Sequence, residues 1–257
     1  MTESGGTTAV TEGGASDTYT VVLTAQPTAN VTVTPSGGAD LSLSPSSLTF
    51  TSVNWATPQT FTVTAVNDAL VEGTETPSIT HAISSVDADF AGASIANVSV
   101  TVTDNDTAGF VLTESGGTTA VTEGGATDSY TLVLTAQPSA DVVVTLTVPS
   151  DVTVSASTLT FTNANWSTPQ TVTVTAVQDT LDEPSPESVT ITHTSASADA
   201  TFNGLSIGGA EVAVTDDDGT PTLAISDVTA TETNGTVDVT VTMTGQSQST
   251  VSVAYAT

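Results

Sequence analysis

The chain has 257 residues with 28 Asp and Glu, no Lys, Arg or Cys, and a formal net charge of −28. Phosphate recognition draws on Lys and Arg, so this composition argues against nucleic acid and anionic membranes as partners and points to cations instead. It also excludes a disulfide framework and thiolate metal sites; no apolar run approaches the ~20 residues that span a bilayer, and MTESGGTTAV has neither region of a signal peptide, which puts any export signal outside this segment.

Thr, Ser, Val and Ala dominate, aromatics are 4%, and no pattern of a multi-turn amphipathic helix occurs. That is the profile of an all-β protein. Period-2 runs alternate with Gly, Pro, Ser and Asp clusters. In chain order they read FVLTE (complete at Phe110), YTVVLT from Tyr19, NVTVT from Asn30, LTFT from Leu48, TFTVTAV from Thr60, SITHAI from Ser78 and NVSVTVT from Asn97. Side chains alternate across a strand, so Tyr19, Val21 and Leu23 are predicted to face inward, as are Phe61, Val63 and Ala65, while Thr60, Thr62 and Thr64 face water. Seven short strands in about 110 residues suit an immunoglobulin-like antiparallel β-sandwich.

The sandwich is repeated. TESGGTTAVTEGGASDTYTVVLTAQPTA at Thr2 recurs as TESGGTTAVTEGGATDSYTLVLTAQPSA at Thr113, and Glu12, Trp55, Asp68 and Glu72 reappear 111 positions on as Glu123, Trp166, Asp179 and Glu183. One residue is inserted between Pro184 and Glu187, after which His81 maps to His193 and Asp104 to Asp216. The predicted domains are a first sandwich over 1–106, a second over 107–218 and a partial third copy over 219–257, in which Glu232 aligns with Glu12 and Met243 with Leu23. Met1 aligns with Leu112, inside a first strand, so the chain is expected to be a segment of an elongated array; completion of the partial copy by strands of another molecule is the alternative.

In such a sandwich the loop between the fifth and sixth strands shares a pole with the end of the seventh. The first copy's loop, VNDALVEGTET, carries Asp68, Glu72 and Glu75; its seventh strand ends in Asp104, Asn105 and Asp106. If the first strand runs beside the last, Glu12 reaches the same pole. Five or six carboxylates without a counter-charge raise one another's pKa. Calcium, a hard cation taking six to eight oxygens at one site, answers that arrangement better than magnesium.

VTEGG on the first strand, NDALVEGTE between strands and TDNDTAG at the exit resemble the Calx-beta domain, and LTFTSVNWATPQTFTVTAVNDALVEGTET is similar to the variant common in large bacterial adhesins. The resemblance covers both full copies and part of the third. It implies calcium bound at the exit pole by Glu12, Asp68, Glu72, Glu75, Asp104 and Asp106, and in the second copy by Glu123, Asp179, Glu183, Glu187, Asp216 and Asp218, with Asp217 adding a carboxylate where the first copy has Asn105. Two departures bear on the ion count: Asn67 and Gln178 stand where calcium-sensing members have Asp, and no Asp of the Gly-rich loop after the third strand is clearly reproduced. One or two ions per domain are therefore expected.

Asp40, Asp87 and Asp89 read as solvating charge. His81 and His193, with no Cys or second His nearby, read as packed rather than metal-binding, Trp55 and Trp166 as structural caps, and the sequons at Asn30 and Asn234 as chance in a Thr-rich chain. Nothing suggests a Ser, His and Asp constellation, so no enzyme activity is expected. The expectation is a structural, extracellular or cell-surface repeat segment of a bacterial adhesin or filament, stiffened by calcium, with neighbouring repeats as its other partners. The alternatives are a module gripping cell-surface glycans through the Trp loops and a filament subunit contacting other copies.

Overall fold

Alternating β-branched runs leave each strand with one apolar and one Thr-rich face, and in the computed structural model the apolar faces close on each other in pairs. The structure describes every residue except 230, 233, 234, 248, 256 and 257; the Asn234 sequon and the end of the partial third copy at Thr257 lie outside the described residues. Two compact units emerge, Met1–Ala108 and Gly109–Thr257.

The strands of the first unit are β1 (Thr2–Glu3), β2 (Thr8–Thr11), β3 (Asp17–Val21), β4 (Val31–Ser36), β5 (Leu41–Ser44), β6 (Leu48–Phe50), β7 (Gln59–Ala65), β8 (Thr74–Glu75), β9 (Ser78–Ser84) and β10 (Val98–Thr103). One sheet has the order β1-β3-β7-β5; the other runs β2-β10-β9-β4-β6, with β8 also on β10. This is an immunoglobulin-like β-sandwich. The seven expected runs are present, and three short strands, β2, β5 and β8, add to them.

The first of these additions has a local cause. Ser4–Gly6 forms a 3-10 turn in which Gly5 and Gly6 take φ of 64° and 88°, a region that glycine enters without the Cβ penalty of other residues. The predicted single first strand therefore breaks: β1 pairs antiparallel with β3, and β2 crosses to the other sheet and pairs in parallel with β10. The Ser-Gly-Gly of the second copy does the same at Ser115–Gly117.

Tyr19, Phe50, Phe61, Val31, Val33, Ile79 and Val100 fill the core at essentially zero exposure. Tyr19 lies 5.3 Å from Phe61 and meets His81 edge-on at 5.5 Å, its hydroxyl 2.9 Å from His81 Nε2. The predicted inward faces of β3 and β7 are buried, except that Leu23 lies beyond the end of β3 and is half-exposed.

The second unit repeats the plan with β11 (Phe110–Glu114), β12 (Thr119–Thr122), β13 (Asp128–Leu134), β14 (Val142–Thr147), β15 (Val152–Val154), β16 (Thr158–Phe161), β17 (Gln170–Ala176), β18 (Glu187–Ser197) and β19 (Ala210–Thr215). Its sheets are β11-β13-β17-β15 and β12-β19-β18-β14-β16. The partial third copy contributes β20 (Thr222–Ile225) and β21 (Val241–Thr244), a pair in which every residue is exposed. Among the described residues no helix is long and apolar enough to cross a membrane.

Candidate metal centre

The parallel register of β2 on β10 builds the site. Thr11 lies opposite Thr103, and the Glu12 N–H donates to the Thr103 carbonyl at 3.0 Å. The next residues, Glu12 and Asp104, therefore leave the sheet side by side. β12 on β19 does the same for Glu123 and Asp216 through the Glu123 N–H to Thr215 carbonyl bond of 3.0 Å.

Asp104 ties the exit to the acidic loop. Its Oδ2 accepts the N–H groups of Glu72 at 2.8 Å and Gly73 at 2.9 Å, and its Oδ1 accepts that of Asp106 at 2.7 Å. Asp68 folds its own loop by accepting the Leu70 N–H at 2.7 Å. In the second unit Asp216 accepts from Glu183 and Asp218, each at 2.9 Å, and Asp179 from Leu181 at 2.7 Å. With both oxygens so engaged, Asp104 and Asp216 set the shape of the pole.

Around them, Glu12, Asp104 and Asp106 each bring one oxygen within 4.8 Å of the others, as do Glu123, Asp216, Asp217 and Asp218. Glu12 is 5% exposed and Glu123 3%. Glu12 Oε2, Asp106 Oδ2 and Asp218 Oδ2 are buried and, among the described residues, find no hydrogen-bond partner. A buried acceptor left unmade costs about 1–3 kcal/mol, more when charged, and the chain has no Lys or Arg to supply the missing donor.

The protonation equilibria follow. Burial pushes the Glu12 carboxyl up, and repulsion from Asp68, Asp104 and Asp106 adds to it, against one N–H from Asp68. Asp106 is raised by burial and then by Asp104 and Asp68, and Asp218 by burial and then by its acidic neighbours. Glu123 follows Glu12. Asp104 goes the other way: burial opposes it, but its three backbone N–H partners together hold it below the ordinary carboxylate range. In the first pole Asp104 is thus a firm anion, and Glu12 and Asp106 beside it are strained ones.

Asp68 and Glu72 border a cavity with Glu12, Ala39, Val66 and Asp40. That corrects the reading of Asp40 as bare solvating charge: the short strand β5 brings it to the pole, its carbonyl accepting the Val66 N–H at 2.9 Å, and its carboxylate adds to burial and to Asp68, Glu75 and Glu12 in raising Glu72. Asp151 makes the same backbone bond with Val177 at 2.9 Å. The recurrence of Asp40 as Asp151 was the available signal. Asp182, also not singled out in the sequence, acts on Asp218. Glu75 and Glu187 stand apart from the close groups: they sit in the β8 and β18 ladders opposite Val102 and Val214. The inserted residue lets β18 begin directly at Glu187, where the first copy needs the separate β8.

Asn67 and Gln178 also have a part. In the first unit the Asn105 amide donates to Asn67 Oδ1 at 2.9 Å; in the second the Gln178 amide donates to Asp217 Oδ1 at 3.0 Å. The donor reverses because Asp217 can only accept, so the two differences between the copies compensate each other. Asp87 and Asp199 are structural too. Asp87 accepts the Thr28 N–H at 2.6 Å and hydroxyl at 2.8 Å, and Asp199 accepts the same two groups of Ser139.

No protein-family model matches the sequence, and no curated protein does so. Among solved structures the chain is similar to CBD12 from CALX1.2 (16% identity over 83% of this chain and 98% of that one, TM-score 0.36). It is similar to the calcium binding domain CBD12 of CALX1.1 (19% identity, the same coverage, TM-score 0.38). Domains 4 and 5 of the S-layer protein SbsC follow, at 18% identity over 72% of this chain and 76% of that one, with a TM-score of 0.30. At these values the fold assignment is carried by the strand pairings, and the site by its own geometry.

Proposed function

We propose that each complete repeat binds calcium at its carboxylate pole, and that the chain is a structural repeat segment of an extracellular adhesin or surface filament stabilised by that ion. The observation that carries the reading is the pair of buried, unpartnered oxygens on Glu12 and Asp106, beside a third carboxylate and in a chain without Lys or Arg. The oxygen-only donor set suits calcium, which supplies a divalent counter-charge with flexible coordination. Glu12, Asp104 and Asp106 would hold it in the first unit, with Asp68, Glu72 and Asp40 bordering the adjoining cavity; Glu123, Asp216, Asp217 and Asp218 would do so in the second. Asp104 and Asp216 shape the loops, and relief of repulsion fixes each exit segment to the body of its own sandwich.

The test is thermal unfolding after chelation, then with calcium titrated from micromolar to tens of millimolar and magnesium as control. A calcium-selective rise in Tm, reduced when Asp104→Ala and Asp106→Ala are combined, is expected. An equal response to both ions, or none, would overturn the assignment.

A further inference from the structure

Given the calcium reading of the poles, on which this rests, we infer that the two poles fill in a fixed order. The second takes the ion first, at about one tenth of the concentration that the first requires, because Asp217 adds a carboxylate there and Gln178 holds it over the site.

The copies differ at one spot, above the glycine that follows the buried glutamate. In the first unit a Cβ on Gly13 would meet Asn67 Oδ1 at 2.7 Å and Asn105 Nδ2 at 3.0 Å. Asn67 donates its own amide to the Asp68 carbonyl at 3.2 Å. That turns its Oδ1 toward Asn105, which presents its NH2 group in answer at 2.9 Å. An amide N–H is a donor and gives a cation no ligand. In the second unit a Cβ on Gly124 would meet Gln178 Oε1 at 2.6 Å and Asp217 Oδ2 at 3.2 Å. Here the Gln178 amide donates to the Asp179 carbonyl at 3.1 Å and to Asp217 Oδ1 at 3.0 Å. Asp217 is an exposed residue, and this bond keeps it from turning away into solvent, with Oδ2 left over Gly124. Where the first pole shows a donor, the second shows an anion.

The close group of the second unit therefore joins Asp217 to Glu123, Asp216 and Asp218, against Glu12, Asp104 and Asp106 alone in the first. Glu123 is 3% exposed, and Asp218 Oδ2 is buried with no hydrogen-bond partner among the described residues, so this group too holds an oxygen in need of a counter-charge. The acidic loop adds to the difference: Asp182 stands where the first copy has Val71, and its charge acts on Asp218. Calcium affinity is set by the charge of the ligand set and by its rigidity. One more unit charge close to a divalent ion, screened by salt, is worth roughly a tenfold change in affinity. Rigidity acts in the same direction, because the Gln178 bond orders Asp217 before the ion arrives.

The experiment titrates calcium into the full chain and follows two matched backbone amides by NMR: Glu72, whose N–H bonds to Asp104, and Glu183, whose N–H bonds to Asp216. The Glu183 signal is expected to reach its midpoint at about tenfold less calcium than that of Glu72. Asp217→Asn should raise the Glu183 midpoint to that of Glu72 and leave Glu72 where it was. Asn105→Asp combined with Asn67→Gln, which copies the second pair into the first unit, should lower the Glu72 midpoint by a similar factor. Gln178→Ala keeps the carboxylate and removes its support, and should raise the Glu183 midpoint; if it lowers only the Tm in chelator, its role is structural and the positioning role is overturned. Equal midpoints in the native chain, or Glu72 responding first, would overturn the order of filling and leave calcium binding intact. If neither amide responds to calcium, it is the calcium reading that falls, and the order of filling with it.

Discussion

Glu12→Gln separates a strained ligand from a structural carboxylate, because the two roles predict opposite signs in calcium-free buffer. The substitution keeps the shape of the side chain and an oxygen able to accept from the Asp68 N–H, and removes one charge from a group whose oxygens lie within 4.8 Å of one another. At that separation a pair of unit charges repels by about 0.9 kcal/mol in water. Physiological salt cuts this to roughly half, so relief from Asp104 and Asp106 together amounts to about 1 kcal/mol. For a domain of this size that raises Tm by about 4–8 °C in chelator. Calcium reverses the order. At about 10 mM, with a dissociation constant in the ~10⁻⁴ to 10⁻³ M range of extracellular modules, the native first unit gains about 1.4–2.7 kcal/mol, and the variant gains much less. Differential scanning calorimetry with and without calcium reads both arms, and the second unit, with Glu123 intact, serves as the internal control. A variant that melts lower in chelator, or that keeps the full calcium response, would refute the reasoning.

Gly124→Ala should destabilise the second unit by about 1–2 kcal/mol, since Gly124 sits at φ 57° and a Cβ there would meet Gln178 Oε1 at 2.6 Å; the displaced amide should also weaken the calcium response of that unit. Tyr130→Phe removes the hydroxyl 2.9 Å from His193 Nε2 and should cost about 1–2 kcal/mol, read as a lower urea midpoint at unchanged m value. Burial holds His81 and His193 below the ordinary imidazole value of 6.5. The folded state then binds fewer protons than the unfolded chain, so this stability is complete above that value and is lost as pH falls through it toward the folded ones. In chelator the raised carboxyls of Glu12, Asp106, Glu123 and Asp218 act in the opposite sense, adding stability as pH falls through their raised values. A pH series of Tm with calcium saturating should therefore decline on acidification more steeply than the same series in chelator.

Much of this architecture was legible because its determinants are local and repeated. Strict alternation in TFTVTAV declares which face of β7 is buried, and internal repetition separates meaningful acids from incidental ones. The role of Asp40 depends on β5, a four-residue strand whose LSLS pattern is too short and too polar to stand out in the sequence. Leu23 follows the same alternation; β3 ends at Val21 and Leu23 is half-exposed, while its counterpart Leu134, the last residue of β13, is 3% exposed. The donor reversal between Asn67 with Asn105 and Gln178 with Asp217 becomes visible only once the loop and the exit are seen to touch. Glu75 and Glu187 satisfy the spacing of an acidic motif, and the strands place their backbones in the ladders opposite Val102 and Val214, outside the close carboxylate groups.

The parallel seam between β2 and β10 also bears on how a repeat resists pulling. A tension applied at the two ends of the unit draws these neighbouring strands in opposite directions along their length, so the bonds joining residues 8–11 to 100–103 are loaded in shear and must yield together. In an antiparallel terminal pair the same bonds would open one after another, like a zip. The carboxylates of Glu12, Asp104 and Asp106 crown one end of this seam. A divalent ion held there would act as a rivet, and the force needed to rupture the repeat would rise with the calcium concentration around it.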